Sequence, residues 1–482
     1  MEPLSWVQIL TGILFGLSFY ALKDIKLADE YTLPEKHLVI GVLSSRDHFS
    51  QRETVRRTWA SHLHHIPNSK LVFVLGETDC HLHPADRRSV QSCHEWMVSE
   101  REITNQRSET FLKLGGTSGG QSWNRFECNI GIGFRILHSV VVEAFSIKSA
   151  VVKRAHRMLI VLQDAEEVLE SVIVDKEKCV EEDGFCVVKL ATSLLLPKGF
   201  EGEVLIQRKS EDEGLCDDYI FDGHKDMNVT CQWTKSSAVD FKYVRMRRDA
   251  VRKWSPSACS TVSLKFTVTE LDKLRRHIDS RSVRTKEWQE YIEENKIKII
   301  EEQNKNQDLL LLPFQDTYSN LPQKTMNFLM WVTKHNNAAF VMKVDDDTFV
   351  SVKGLKNLLA SENERGLAWW SHFHFHRSVP IYGKCADVKY PGLTYPTFPS
   401  GAGYLMTGSL ASAIATIGPS LPLYVGEDVS VGIWVTVSAQ NVKTVDVPCW
   451  LPHPTCPKSI LETQLTESQM KMHWDLYLQG RS

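Results

Sequence analysis

The feature that most constrains this chain is a run of apolar residues that delivers three consecutive aspartates: AAFVMKVDDDTFV, Ala338 to Val350. Its first half carries Phe340, Val341 and Val344, aromatic or β-branched residues that suit a strand buried on both faces of an α/β sheet. Such sheets bind ligands at the carboxyl ends of their strands, so Asp345, Asp346 and Asp347 are expected at the mouth of a crevice. Adjacent carboxylates repel one another unless a cation offsets them. Mn²⁺ or Mg²⁺ suits the place, because such ions take a few carboxylate oxygens and keep open positions for the phosphates of a bound substrate. A solvated acidic turn is the alternative. A calcium loop of the EF-hand type fails, since Val350 and Lys356 stand where that loop requires Gly and Glu.

The rest of the chain gives this strand its setting. With 482 residues, 42% of them apolar, the chain can bury more than one core, and its net charge of -3 offers nothing to nucleic acid. Leu4 to Leu22 is free of charged residues and long enough to cross a bilayer, and it is closed by Lys23, Asp24 and Lys26. It lacks the basic start and short core of a cleaved signal peptide, so residues 1–22 read as an uncleaved anchor and 23–37 as a short stem. Lys23 and Lys26 after the segment, with Glu2 before it, argue mildly against a cytosolic N-terminus. The 11 cysteines and the acceptor pattern at Asn228 are compatible with an oxidising lumenal compartment. Cys80 with Cys93, and Cys179 with Cys186, are placed for local bridges, although spacing leaves connectivity open. No paired Cys-x-x-Cys or His spacing suggests zinc.

Leu38 to Ser45 reads as a buried strand, Arg52 to Trp59 as a helix with Arg52 and Arg56 on one face, and Leu71 to Gly76 as a second strand. That is the start of a doubly wound sheet. The pattern then breaks. From Cys80 to Thr269 short apolar segments alternate with polar turns, which suggests a β-rich, sandwich-like insertion over 80–269. The Gly-rich LGGTSGGQ near Gly115 lacks P-loop spacing and reads as a flexible loop. Residues 270–299 are highly charged and helix-like, and Leu309 to Val332 gives a strand, a loop and an amphipathic helix. Alternation of His372, His374 and His376 with Phe373 and Phe375 suits one face of a strand better than a metal site.

Five stretches together, VIGVLSSRDHFSQRETVRRTW, QDTYSNLPQKT, VMKVDDDTFV, YPTFPSGAGYLMT and GEDVSVGIW, resemble the β-1,3-glycosyltransferase family of the Golgi and endoplasmic reticulum. The resemblance covers about 38–79 and 300–450. FEGEVLIQRKSEDEGL and the Cys80 to Cys93 stretch are similar to N-acetylgalactosaminyl-transferring members with a large insertion. What the resemblance implies is a GT-A-like, Rossmann-type nucleotide-sugar transferase domain (38–79 and 300–482) and an inverting reaction with a UDP-sugar and Mn²⁺. It also implies a type II membrane protein with its catalytic domain in the lumen of the Golgi or endoplasmic reticulum, and a glycoprotein glycan as acceptor.

By the same resemblance Asp347 binds the metal directly, and Asp345 and Asp346 hold the ribose or metal-bound water, with His453 as a further metal-ligand candidate. Asp428 is the base, with Glu427 as the alternative or as a partner of the acceptor. Arg52, Arg56, Asp316, Tyr318 and Lys324 line the donor site. Gly401 and Gly403 stand where a backbone must approach a sugar or a helix closely, and Trp369 and Trp370 offer stacking faces for the acceptor, with core packing as the equal alternative. Helix capping is the plainer role for the Glu427–Asp428 pair. The expected reaction places GalNAc in β-1,3 linkage on a terminal N-acetylglucosamine, such as that of an O-mannosyl glycan, with galactose or N-acetylglucosamine as rival donor sugars. A non-catalytic lumenal glycan-binding protein is the reading from another class.

Overall fold

A computed structural model of the chain describes residues 38–96 and nearly all of 262–480; between them it describes chiefly 129–149, 156–162, 167–175, 184–208 and 238–246. The expected anchor and stem, the Gly-rich stretch near Gly115 and the glycosylation acceptor Asn228 lie outside the described residues. Among the described residues no helix is long and apolar enough to cross a membrane.

The central sheet is formed by β1 (Leu38–Leu43), β2 (Ser69–Thr78), β3 (Leu309–Gln315), β4 (Phe340–Asp345), β5 (Ala368–Ser371), β6 (Gly403–Thr407) and β7 (Lys443–Asp446). Their order is 3-2-1-4-6-5-7, and all run parallel except β6, which opposes both β4 and β5. Because side chains alternate along a strand, β1 feeds two cores. Leu38, Ile40 and Val42 join Val55, Trp59, Met342 and Val344 on one face, and Val39 and Leu43 join Phe328, Leu329 and Val341 on the other. Each such fully buried side chain stabilises the fold by about 1.5–3 kcal/mol. Gly41 sits under the helix on the second face, where an added Cβ would come within 2.4 Å of the Phe328 ring.

The chain runs from β1 outward to β2 and β3, then returns on the other side of β1 as β4. The strand order therefore reverses between β1 and β4, and a crevice opens outside their carboxyl ends. Antiparallel β6 pairs Gly403 with Val344. Its amino end and the Ser400–Gly403 turn thus reach the same edge. α1 (Phe49–Arg57) covers one face of the sheet through Val55, and α2 (Leu321–His335) covers the other through Phe328 and Leu329.

Between β2 and β3 the chain builds two antiparallel sheets. One runs in the order Val239–Met246, Asn129–Ile136, Glu201–Arg208, His156–Leu162, Glu167–Val174; the other contains Val262–Val268, Val140–Lys148 and Phe185–Leu196. Phe134, Ile160 and Val204 of the first meet Val142, Phe145, Leu264 and Phe266 of the second in one core, which makes this a sandwich. Helices Leu271–Asp279 and Arg281–Asn306 lead back to β3, so the helical connection runs on past residue 299. At the joint, Asp86 lies 2.7 Å from Arg284, 3.0 Å from His277 and 3.6 Å from Arg281. Trp96 packs there with Leu137 and Leu274, and the Trp288 indole donates to the Cys80 carbonyl at 2.8 Å. Disulfides join Cys80 to Cys93, Cys179 to Cys186 and Cys449 to Cys456.

Candidate active site

The pleat of β4 puts Lys343 and Asp345 on one face of the strand. The Lys343 ammonium is buried 2.8 Å from Asp345 Oδ1 and 3.0 Å from Glu427 Oε2, and it also donates to the Gly401 carbonyl. Three donors thus meet three acceptors. That balance is needed, because burying an ion costs several kcal/mol unless its partners are well placed. Burial pulls the Lys343 pKa down, but Asp345 and Glu427 outweigh it and hold the group charged. Tyr404, opposite Lys343 across the β4–β6 ladder, donates its hydroxyl to Glu427 Oε1 at 2.6 Å, and Thr325 donates to the same oxygen at 3.2 Å.

Both Glu427 oxygens are therefore engaged within the protein. Held in this way by Lys343, Tyr404 and Thr325, Glu427 is the less available of the two expected bases.

Asp428, in contrast, stands in the first turn of α3 (Glu427–Ser438), where negative charge is favourable. Its Oδ1 accepts the Val429 N–H at 2.8 Å. Its Oδ2 lies beside Gly401, only 3.2 Å from where a side chain at that position would begin, so glycine keeps that oxygen uncovered. Burial first, and Glu427 next, push the Asp428 carboxyl up to about 6, with the Val429 N–H and Lys343 opposing. A half-buried carboxylate with one uncovered oxygen and such a pKa is equipped to take a proton near neutral pH.

The three aspartates play different parts. Asp346 Oδ2 accepts from Ser44 Oγ at 2.6 Å and meets His48 Nδ1 at 2.8 Å, tying the end of β4 to the loop after β1. The hydrogen bond to Asp346 raises the His48 pKa. Asp345 keeps 39% of its side-chain surface accessible. Loss of water around the remainder, and then Glu427 and Asp347 against Lys343, push its carboxyl up to about 7. Asp347 is raised by burial and then by Asp346. Carboxylates lifted by one another are what a cation relieves. No group of three His, Cys, Asp or Glu among the described residues could hold a metal ion. Asp345 and Asp347 nevertheless fit a hard divalent ion of the Mn²⁺ or Mg²⁺ kind, which needs only one or two carboxylates when substrate phosphates and water supply the rest.

The loops behind the triplet are knitted by buried ions that sequence reasoning missed or misassigned. Arg46 binds Asp79 Oδ2 at 2.6 Å and the carbonyls of Gly76 and Glu77, holding the end of β2. Asp316 pairs with Lys324 at 2.7 Å and accepts the Gly76 N–H, while Lys324 donates to the Ser44 carbonyl. Asp316, Lys324 and half-buried Tyr318 thus stand at the carboxyl ends of β1 to β3. Arg52 and Arg56 are corrected. Arg52 is fully buried against Glu302 at 2.8 Å and donates to the Ser45 and Arg46 carbonyls, and Arg56 pairs with Glu302 and Asp308. The Arg52 guanidinium braces the loop after β1, that of Arg56 ties α1 to Glu302 and Asp308, and both charges are spent on carboxylates.

Trp369 and Trp370 are also corrected. Both are at most 2% exposed and belong to opposite cores, so neither presents a face to a sugar. Gly403 serves packing, since an added Cβ would meet Leu461 at 2.8 Å and the Lys343 carbonyl at 3.0 Å. His453 is exposed in the turn closed by Cys449 and Cys456 and joins no metal-holding group with the triplet. Of the His-rich stretch only Phe373–His374 is strand, and Phe375 is exposed. The one signal that pointed to Lys343 was a lone charge inside an apolar strand.

Residues 289–447 match the family model described as Galactosyltransferase. UDP-GalNAc:beta-1,3-N-acetylgalactosaminyltransferase 2 of Homo sapiens is 25% identical over 450 residues, spanning 91% of this chain and 86% of that protein. Its Xenopus laevis counterpart is 25% identical over 452 residues, 91% of this chain and 89% of the other. Beta-1,3-galactosyltransferase 5 of Pan troglodytes is 36% identical over 139 residues, 28% of this chain and 46% of that protein. A solved glycosyltransferase involved in the glycosylation of the major capsid of PBCV-1 overlays with a TM-score of 0.22 at 10% identity, over 35% of this chain and 82% of the other.

Proposed function

We propose, from the premise that this chain belongs to the β-1,3-glycosyltransferase family, that it moves GalNAc from UDP-GalNAc in β-1,3 linkage onto a terminal N-acetylglucosamine of a glycoprotein glycan. The observation that carries the reaction is the division of labour at the start of α3. Glu427 is saturated by Lys343, Tyr404 and Thr325, while its neighbour Asp428 keeps an oxygen uncovered beside Gly401.

In an inverting single displacement Asp428 takes the proton of the acceptor's 3-hydroxyl. That oxygen bonds to the donor's anomeric carbon as the carbon–diphosphate bond breaks, and UDP leaves. A divalent ion held by Asp347 and Asp345 would neutralise the diphosphate. Lys343 fixes Asp345 and Glu427 relative to each other, so the triplet and the first turn of α3 keep their spacing. Asp346, through Ser44 and His48, holds the β1 loop against the triplet, and Asp316, Tyr318 and Lys324 shape the donor side.

The extent of likeness to the GalNAc transferases, which includes the sandwich, supports GalNAc as donor sugar. The closer but shorter likeness to a galactosyltransferase supports galactose as the second reading. The disulfides among the described residues support a lumenal setting in the Golgi or endoplasmic reticulum, with residues 1–22 as a type II anchor.

The test is transfer from a panel of UDP-sugars to benzyl β-N-acetylglucosaminide with Mn²⁺ present, linkage being read by NMR. GalNAc in β-1,3 linkage is expected, and galactose instead would change the donor. Absence of transfer from every donor would favour the non-catalytic glycan-binding reading.

A further inference from the structure

With Trp369 and Trp370 in the cores, no aromatic face is yet assigned to the acceptor. One aromatic group outside the catalytic machinery adjoins Asp428. Tyr390 and Tyr424 meet with ring centroids 5.1 Å apart at 74°, Tyr390 meets Tyr395 at 4.9 Å, and Tyr395 meets Phe398 at 5.9 Å. The inner members, Tyr395 and Phe398, pack with Val379 and Val429, and Tyr390 and Ile433 lean on them. Val429 and Ile433 belong to α3, so this wall stands against the first turns of the helix that carries Asp428.

The contact is close. At Gly432 an added Cβ would come within 2.6 Å of the Phe398 Cβ and the Thr397 carbonyl. Tyr424 is held in register by Ser430 Oγ, which accepts the Tyr424 N–H at 3.2 Å and itself donates to the Gly426 carbonyl at 2.7 Å. Gly426 in turn lies against Asp428, whose Oδ1 would be 2.9 Å from a Cβ there. Two residues of chain span at most about 7 Å, so the Tyr424 backbone lies within that distance of Gly426, the residue that touches the base.

The wall is graded from inside to outside. Tyr395 is buried, and its hydroxyl donates to Asp387 at 3.2 Å, which fixes the base of the group. Tyr390 and Tyr424 are only half-buried. Two rigid rings in T-shaped contact, each leaving surface uncovered next to the helix that carries Asp428, make an amphipathic corner.

Resting on the transferase reading above, we propose that Tyr424 and Tyr390 form the platform on which the acceptor sugar stacks. Its chemical class is a β-linked hexosamine with all-equatorial substituents, because such a ring shows C–H groups on both faces. Stacking one face on the tyrosines leaves an equatorial hydroxyl at the ring edge, the orientation needed to direct it at Asp428.

The experiment compares the full chain with Tyr424→Leu and Tyr390→Leu, using methyl β-N-acetylglucosaminide, since a benzyl aglycone would add an aromatic contact of its own. The acceptor KM is expected to rise roughly tenfold or more in each variant, with the donor KM unchanged and Tyr424→Phe restoring the acceptor KM. Saturation-transfer NMR on the unsubstituted protein reads the same contact without turnover and without risk to folding. It should show one face of the methyl glycoside nearest to aromatic protons. Transfer with an unchanged acceptor KM in both leucine variants, or saturation that avoids the sugar's C–H face, would overturn the platform while leaving the transferase standing. Stacked binding with no transfer from any donor would keep the platform and sink the transferase reading.

Discussion

The crevice at the end of β4 and the joint behind Cys80 are both built on buried ions, but only the joint is balanced. There Asp86 is shared by Arg284, Arg281 and His277, and Arg281 also pairs with Glu95 at 2.8 Å. Two arginines thus meet two carboxylates, and the imidazole adds no charge. Burial, and then Arg284, push the His277 pKa down to about 4, so the imidazole is neutral at physiological pH. In the crevice one ammonium, Lys343, serves Asp345 and Glu427, with Asp347 beside Asp345 and Asp428 beside Glu427. That excess of acid is relieved only by protonating carboxylates or by admitting a cation. A cluster that neutralises itself holds shape, whereas one that stays anionic is prepared for a partner.

The contrast is broken most sharply by Asp428→Asn, which keeps volume and removes the proton acceptor. Transfer is expected to fall by about 10²–10⁴-fold with the donor KM little changed, as steady-state kinetics would show. Equal loss in Asp86→Asn would erase the distinction between the two regions.

Next in size is Lys343→Met, which leaves buried Glu427 without a counter-charge and should lower stability by about 3–5 kcal/mol in urea unfolding. Because Lys343 holds the Asp428 pKa down, what activity remains should also need higher pH. Asp86→Asn should cost less, about 1–3 kcal/mol, since Arg281 and Arg284 keep 31% and 16% of their side-chain surface in water. Turnover on a small acceptor should be unchanged.

The smallest effect is the pH profile itself. Asp428 must be ionised to act, so kcat/KM should fall about tenfold per unit below pH 6. Its folded pKa lies above the ordinary 3.8. By linkage, the stability this group contributes is full below about pH 4 and is lost as pH rises through about 6. Activity and this share of stability therefore run in opposite directions, and thermal melts beside rate measurements would show it.

Which parts of this were legible in the residues follows from how local each signal is. Apolar runs marked β1, β2 and β4, the last broken only by Lys343, and the end of β4 carried the triplet to the crevice. The Glu427–Asp428 pair was visible too, but not its division, because the partners that saturate Glu427 come from β4, β6 and α2. Lys343 and Tyr404 become a pair only through the β4–β6 register. The misreading of Arg52 and Arg56 has the same origin, since Glu302 lies 250 residues from Arg52 in the chain. Trp369 and Trp370 carried the right chemistry for stacking, but consecutive strand residues point to opposite faces, and here each face is a core.

The reversal of strand order between β1 and β4 also sets an order in time. Ser44 and Asp346, which close the crevice, are 302 residues apart in sequence. At a synthesis rate of about 5–20 residues per second, the interval between them is about 15–60 s. During it the sandwich, whose described strands pair only with one another, has all its partners at hand, while β1 waits with one edge unpaired. Loop closure over that distance adds little to the final free energy, since its cost grows only with the logarithm of length. The burden is instead one of exposure: an apolar strand edge held open for that long is where a nascent chain meets other chains, and slower translation through the insertion would widen that window.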